Sequence, residues 1–347
     1  MKILIVTDAW QPQVNGVVRT YEHLGDELRA RGHDVRIIGP HDFPFRIPLP
    51  GYREIELALF PYRRLARLIE DYAPDSIHIA TEGPLGLAAQ KWCRRYQRRF
   101  STAFHTMFPD YFAKRMAKHI KPLYQPARRY GIRLVRRFHN QAAVIITTTP
   151  SINQILTSWD IKSPMVAIPR GVPLDLFTPG GPRALEHPGK PVALFVGRVA
   201  IEKNIESFLG MPWDGVKIVV GDGPALASLK ARYPDILFTG RKVGPELASW
   251  YRSADVFSFP SRTDTFGIVL IEALSCGVPL AGYPVPGPQD IITSPLVGAI
   301  DTDLASASRK ALQTIGTKEE RHRHARENYT WASFADHFLE ALRTYSC

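Results

Sequence analysis

"PVALFVGRVAIEKNIESFL", residues 191–209, sets an unbroken apolar run before a glycine and follows it with a helix-like segment. A short buried strand that ends in a glycine turn and leads into a helix is the unit from which helix-covered parallel sheets are built. The same pattern recurs along the chain. In the first half the predicted strands are "KILIVT", "DVRIIG", "SIHIAT", "STAFHT" and "AVIITTT"; in the second they are "PVALFVG", "VKIVVG", "ILFTG", "DVFSFP" and "VPLAG". Between the two sets, residues 169–191 are dense in proline and glycine and poor in periodicity, and read as a linker. The expected fold class is therefore α/β, with two doubly wound domains, residues 1–170 and 171–330, whose strand ends face a cleft. The last segment, "WASFADHFLEALRTY", is helix-like and is expected to pack back on the first domain.

Composition agrees with this reading. A chain of 347 residues with 45% hydrophobic content can fill two cores. Cys93, Cys276 and Cys347 are odd in number and far apart, which argues against a disulfide framework or a closely spaced metal site and fits a reducing cytosol. "MKILIVTD" is too short for a secretory signal core, and no uncharged apolar run reaches about 18 residues. The protein is expected neither to be exported nor to span a membrane.

The formal charge of +11 is unevenly placed. Residues 91–140 hold fourteen Lys or Arg against the single acid Asp110, a net of +13, which leaves −2 for the rest. One surface is thus expected to meet something anionic. If residues 110–121 are helical, Phe112, Met116 and Ile120 share one face while Lys114, Lys118 and Lys121 occupy another. "RRYGIRLVRRFH" gives Arg129, Arg133, Arg136 and Arg137 a similar stripe, weakened by Gly131. Basic amphipathic helices with interleaved aromatics suit an anionic membrane surface; the plainer reading is a solvated face. Nucleic acid is the competing partner, but no nucleic-acid module is visible and the strand-helix units account for both domains.

Four turns carry the candidate chemistry. In "DAWQPQVNGVVRTYEHL", Gly16 stands before a helix-like run, where a backbone can approach a ligand and a helix N-terminus offers unpaired N–H groups. In residues 191–209, Arg198 and Lys203 flank a short loop, a planar fork and a point charge suited to a diphosphate. "VVGDGP", with Gly223, is a further strand-end turn, read as more structural than the others. "PSRTDTFGIVLIEALSCGVP" places Asp264 and Glu272 eight residues apart, roughly 12 Å along a helix. That is too far for the close carboxylate pair of a retaining glycosidase. The two acids read as separate hydrogen-bonding posts at the ends of one ligand, with the amides of Thr265, Phe266 and Gly267 between them. A nucleotide sugar has that layout. The plainer alternative is a capping Asp with a buried, hydrogen-bonded Glu.

"GRVAIEKN", "GDGP" and "PSRTDTFGIVLIEALSCGVP", with "DAWQPQVNGVVRT", "FHTMFPDY" and "GVPLDLFTPG", together resemble glycosyltransferase family 4, retaining nucleotide-sugar-dependent enzymes of the GT-B fold. The resemblance implies that Arg198 and Lys203 clamp the donor diphosphate, that Glu272 binds the ribose and Asp264 the hexose, and that Gly16 lies close to the diphosphate. It makes His105 the active-site histidine, orienting the sugar rather than attacking it, and places base-reading backbone groups near Arg241 to Val243. No metal or other cofactor is then needed. Asp264 stands where most relatives have Glu, a form shared with lipid glycosyltransferases and mannosyltransferases, and "PVPGPQD" departs from the usual Gly-Gly turn and Glu. The function this implies is transfer of a hexosyl unit from a UDP-sugar to diacylglycerol or a related lipid on the cytoplasmic membrane face. The alternatives are a GDP-mannose-dependent α-mannosyltransferase acting on a lipid-linked or soluble glycan and, in another class, a nucleotide-sugar-binding protein without transfer activity.

Overall fold

The computed structural model describes all residues except 14, 50–51, 117–120, 187–188 and 346–347. The chain divides into two units, one of Met1–Ile168 with Trp331–Cys347 and the other of Pro169–Thr330.

In the first unit, β1 (Lys2–Val6), β2 (Asp34–Ile38), β5 (Ser76–Ile79), β6 (Ser101–Ala103), β7 (Val144–Thr147) and β8 (Met165–Ala167) form a parallel sheet of order β2-β1-β5-β6-β7-β8. An antiparallel hairpin, β3 (Arg46–Leu49) and β4 (Tyr52–Ala58), stands apart from it. Side chains alternate across a strand, so β1 feeds two cores. Leu4 and Val6 pack with Leu65, Ile69, Trp92, Val135 and Phe138, under helices Tyr62–Tyr72, Pro84–Arg95 and Tyr124–His139. Ile3 and Ile5 pack with Tyr21, Leu24 and Leu28 of helix Gly16–Ala30 and with Phe334, Phe338 and Leu342 of helix Trp331–Tyr345. The last helix thus completes the first unit, with Trp331 stacked on His23 at 4.7 Å.

The second unit repeats the plan. β9 (Val192–Val196), β10 (Val216–Val220), β11 (Leu237–Gly240), β12 (Val256–Phe259), β13 (Leu280–Gly282) and β14 (Gly298–Ile300) run parallel in the order β11-β10-β9-β12-β13-β14. Every residue of β9 is buried, which is why its sequence shows no polar alternation. Ala193 and Phe195 face Phe208 and Leu229, while Leu194 and Val196 face Tyr251, Leu270 and Ile271.

Three expectations need adjustment. The linker holds no strand or helix among its described residues, yet it is not a loose tether: Val172 and Phe177 enter the second core, and the amides of Ala184 and Leu185 donate to Ser253 Oγ at 2.9 and 3.0 Å. The helix expected over residues 110–121 is Phe108–Met116, followed by a short 3₁₀ turn, Lys121–Leu123; Lys118 and Ile120 lie outside the described residues. Gly131 does not interrupt helix Tyr124–His139. A Cβ there would stand 2.9 Å from Pro109 Cα, so its absence lets the two helices approach closely.

Candidate active site

Sheet order decides where ligand-binding loops gather. In a doubly wound sheet the crevice opens at the carboxyl ends of two strands whose connections leave in opposite directions. In the second unit that point lies between β9 and β12. The segment after β9 begins Gly197-Arg198, and the segment after β12 leads through Pro260 to Asp264. Topology alone therefore joins two motifs more than sixty positions apart.

The two segments are physically tied. Asn204, in a left-handed conformation (φ 52°) after the 3₁₀ turn Ile201–Lys203, donates from Nδ2 to the Pro260 carbonyl at 3.0 Å. Lys203 Nζ lies 2.6 Å from Asp264 Oδ1, so the expected diphosphate cation and the expected hexose acid are paired with each other. Arg198 Nη1 stands 4.0 Å from Glu202 Oε1. Around Asp264 the loop carries buried hydroxyl oxygens on Ser261 and Thr263 with no hydrogen-bond partner, and Arg262 lies over the Tyr283 ring, 3.6 Å from its centroid.

Helix Ile268–Ser275 starts where its sequence predicts. Gly267 is its N-cap, at φ 88°, so no side chain caps the first amides, and a Cβ would meet the Phe259 ring at 2.9 Å. Thr265 and Phe266 are buried, and the Phe266 carbonyl lies 2.6 Å from where a Gly287 Cβ would be; Gly287 too has positive φ, 89°. This is the departure "PVPGPQD": its glycine is required by the backbone of the motif it abuts. Glu272 is only 3% exposed and accepts a hydrogen bond at Oε2 from the Tyr251 hydroxyl at 2.7 Å. It is a buried, partnered carboxylate.

The "GDGP" turn has a packing role. A Cβ on Gly221 would sit 1.9 Å from the Gly197 carbonyl oxygen, and one on Gly223 2.4 Å from that of Val199. Val199 N donates to Asp222 O at 2.9 Å, so this turn buttresses the loop that carries Arg198. Val243 is the half-exposed N-cap of helix Gly244–Arg252.

In the first unit the corresponding switch point lies between β1 and β5. Asp8, after β1, accepts from Thr81 Oγ1 and from the amides of Leu85 and Gly86, capping helix Pro84–Arg95 across that point. Burial pushes its carboxyl up to about 6 against these hydrogen bonds. Helix Gly16–Ala30 differs from the expectation of open N–H groups. The Asn15 side chain accepts from the amides of Val17 and Val18, both at 3.0 Å, so Gly16 opens a helix that is already capped. His105, half-buried beyond β6, lies 2.9 Å through Nε2 from the Tyr21 hydroxyl. Among the described residues no group of His, Cys, Asp and Glu could hold a metal ion, and no helix is long and apolar enough to cross a membrane.

Two family models match the chain in tandem, Glycosyltransferase Family 4 over residues 14–176 and Glycosyl transferases group 1 over residues 190–314. The protein is a glycosyltransferase of the family 4 type. Its sequence is 28% identical over 332 residues to a GDP-mannose-dependent alpha-mannosyltransferase of Mycobacterium tuberculosis, covering 86% of this chain and 83% of the relative. It is likewise 28% identical over 353 residues to the alpha-monoglucosyldiacylglycerol synthase of Streptococcus pneumoniae, covering 90% and 78%. Among solved structures, the sucrose-phosphate synthase of Thermosynechococcus elongatus superposes with a TM-score of 0.74 at 21% identity, over 99% of this glycosyltransferase and 98% of that chain. The fold is GT-B. Arg198 and Lys203 lie in the segment after β9, Asp264 in the loop after β12 and Glu272 on the helix that follows, whereas Tyr251, Asn204 and Tyr21 carried no local signal, since their partners lie 21, 56 and 84 positions away.

Proposed function

We propose that this glycosyltransferase moves a hexosyl unit from a UDP-sugar to diacylglycerol or a related lipid at an anionic membrane surface, with retention at the anomeric carbon. The convergence of Arg198, Lys203 and Asp264 at the β9/β12 switch point carries the donor half of this reading. A bound diphosphate competes with Asp264 for Lys203 and, with Arg198, is neutralised as it leaves, so transition-state charge is met by fixed cations. Asp264, released, accepts from a hexose hydroxyl, and Glu272 from the ribose. The leaving phosphate takes the acceptor proton on the face where the new bond forms, and His105 orients the sugar.

The acceptor half rests on one face of the first unit. Helices Tyr62–Tyr72, Pro84–Arg95 and Tyr124–His139 bury their apolar sides in one core, and Arg63, Arg67, Arg94, Arg129, Arg133 and Arg137 stand exposed on them. Tyr130 and Leu134 are exposed among these arginines, at 51% and 41%. Cations with interleaved apolar groups suit anionic headgroups. Reversing Arg129, Arg133 and Arg137 to Glu is expected to abolish co-flotation with anionic vesicles and lower lipid glycosylation; unchanged binding would sink the membrane assignment.

A second reading, transfer of mannose from GDP-mannose, is favoured by the similarity to the mycobacterial enzyme. Purified protein offered labelled UDP-glucose, UDP-galactose, UDP-glucuronate or GDP-mannose, in anionic vesicles with and without diacylglycerol, separates the two. Diacylglycerol-dependent label in the lipid extract from a UDP-sugar supports the first reading, and label from GDP-mannose alone replaces it with the second.

A further inference from the structure

Three buried side chains of the first unit form a continuous hydrogen-bonded line that ends at His105. Ser101 Oγ lies 2.8 Å from His78 Nδ1, His78 Nε2 lies 2.8 Å from the Tyr21 hydroxyl, and that hydroxyl lies 2.9 Å from His105 Nε2. Ser101 belongs to β6, His78 to β5 and Tyr21 to helix Gly16–Ala30, whose start is fixed by the Asn15 cap. Ser101 and His78 are fully buried and Tyr21 is 2% exposed. Phe338 of the last helix closes over His78 edge-on, with ring centroids 5.0 Å apart.

A phenol hydroxyl has one proton to give. Set between two imidazole nitrogens, it can donate to only one of them, so at least one of His78 Nε2 and His105 Nε2 bears hydrogen. The rings of Tyr21 and His105 also meet edge to face, at 89° and 5.5 Å.

We propose that Tyr21 is a positioning residue for glycosyl transfer, holding the His105 ring in place through the hydrogen bond to its Nε2. The proposal rests on the reading of His105 as the histidine beside the transferred sugar. With Nε2 bonded to Tyr21, the ring cannot flip without breaking that bond, and such preorganisation saves reorientation during the reaction.

The test has a readout independent of turnover. Ring-nitrogen NMR of the histidine-labelled protein is expected to show a single tautomer for His105 in the wild type and a mixture in Tyr21→Phe, which keeps the ring and removes only the hydroxyl. Ser101→Ala, altering the far end of the line, is expected to move the His105 signals in the same sense by less. Unchanged His105 signals in both variants would overturn the proposal. In the vesicle assay, with UDP-glucose and GDP-mannose as donors, Tyr21→Phe is expected to lower kcat roughly tenfold with little change in donor KM. Combined with His105→Ala it should cost nothing further, because both changes remove one unit. An equal loss in both backgrounds means that Tyr21 acts apart from His105 and refutes the positioning role. A tautomer that responds to Tyr21→Phe alongside full activity of His105→Ala instead overturns the placement of His105 at the sugar, and the proposal falls with it.

Discussion

Lys203 is held half-buried by its partner Asp264 and aimed into the loop after β12; the proposed function has it exchange onto a phosphate. Lys203→Met is expected to lower kcat/KM by about 10²- to 10³-fold, the usual cost of removing one donor from a developing negative charge. Initial-rate kinetics with the donor identified in the vesicle panel check this; a loss below about threefold would remove Lys203 from the diphosphate site. Asp8 carries a different prediction. Its folded-state carboxyl lies at about 6, above the ordinary 3.8, so the native state binds the proton more tightly than the unfolded chain. This group therefore favours folding at low pH, and the contribution is lost as pH rises through about 6. Relative to Asp8→Asn, the wild type should gain about 2–3 kcal/mol of unfolding free energy between pH 7 and pH 4, measured by urea denaturation. A constant difference would mean that Asp8 titrates normally.

At the scale of strands and turns, legibility followed burial. Interior strands covered on both faces read as largely apolar runs, and so did most of both sheets, because a polar side chain there needs an internal partner, as His78, Ser101 and Ser258 have. β8 and β14 were missed: each has three residues, lies at a sheet edge and is only partly covered. The antiparallel pair β3 and β4 was missed because Pro48 stands inside one of its strands, and it belongs to neither parallel sheet. Candidate site residues that sit within a motif were legible, whereas the hydrogen bonds from Tyr251 to Glu272 and from Tyr21 to His105 join distant elements that no spacing rule connects. The "GDGP" turn yields an element-scale prediction. Gly223→Ala forces a methyl to within 2.4 Å of the Val199 carbonyl and must displace the Arg198 loop. The expected outcome is a loss of roughly 1–3 kcal/mol in stability together with a raised donor KM. An unaltered melting temperature and KM would show that the loop adapts freely.

Across the molecule, the chain leaves the first unit after Ile168 and returns at Trp331, so the second unit is inserted into the first. Phe334, Phe338, Leu339 and Leu342 belong to the core built on Ile3 and Ile5. Fully burying side chains of this kind contributes about 1.5–3 kcal/mol each, and removing four approaches the whole stability of a domain. Deleting residues 331–347 is expected to erase the first unit's calorimetric transition and leave that of the second. Survival of both transitions would show that the helix is dispensable. The same crossing has a consequence for biosynthesis. As a nascent chain leaves the ribosome, every strand of the first sheet is translated early, while part of one apolar face waits for the last helix to emerge. The inserted unit has all its own residues first and can mature ahead of its host. Until that helix has emerged, Ile3, Ile5, Val144 and Ile146 lack part of the cover they have in the folded unit, the kind of transiently exposed apolar surface that favours aggregation.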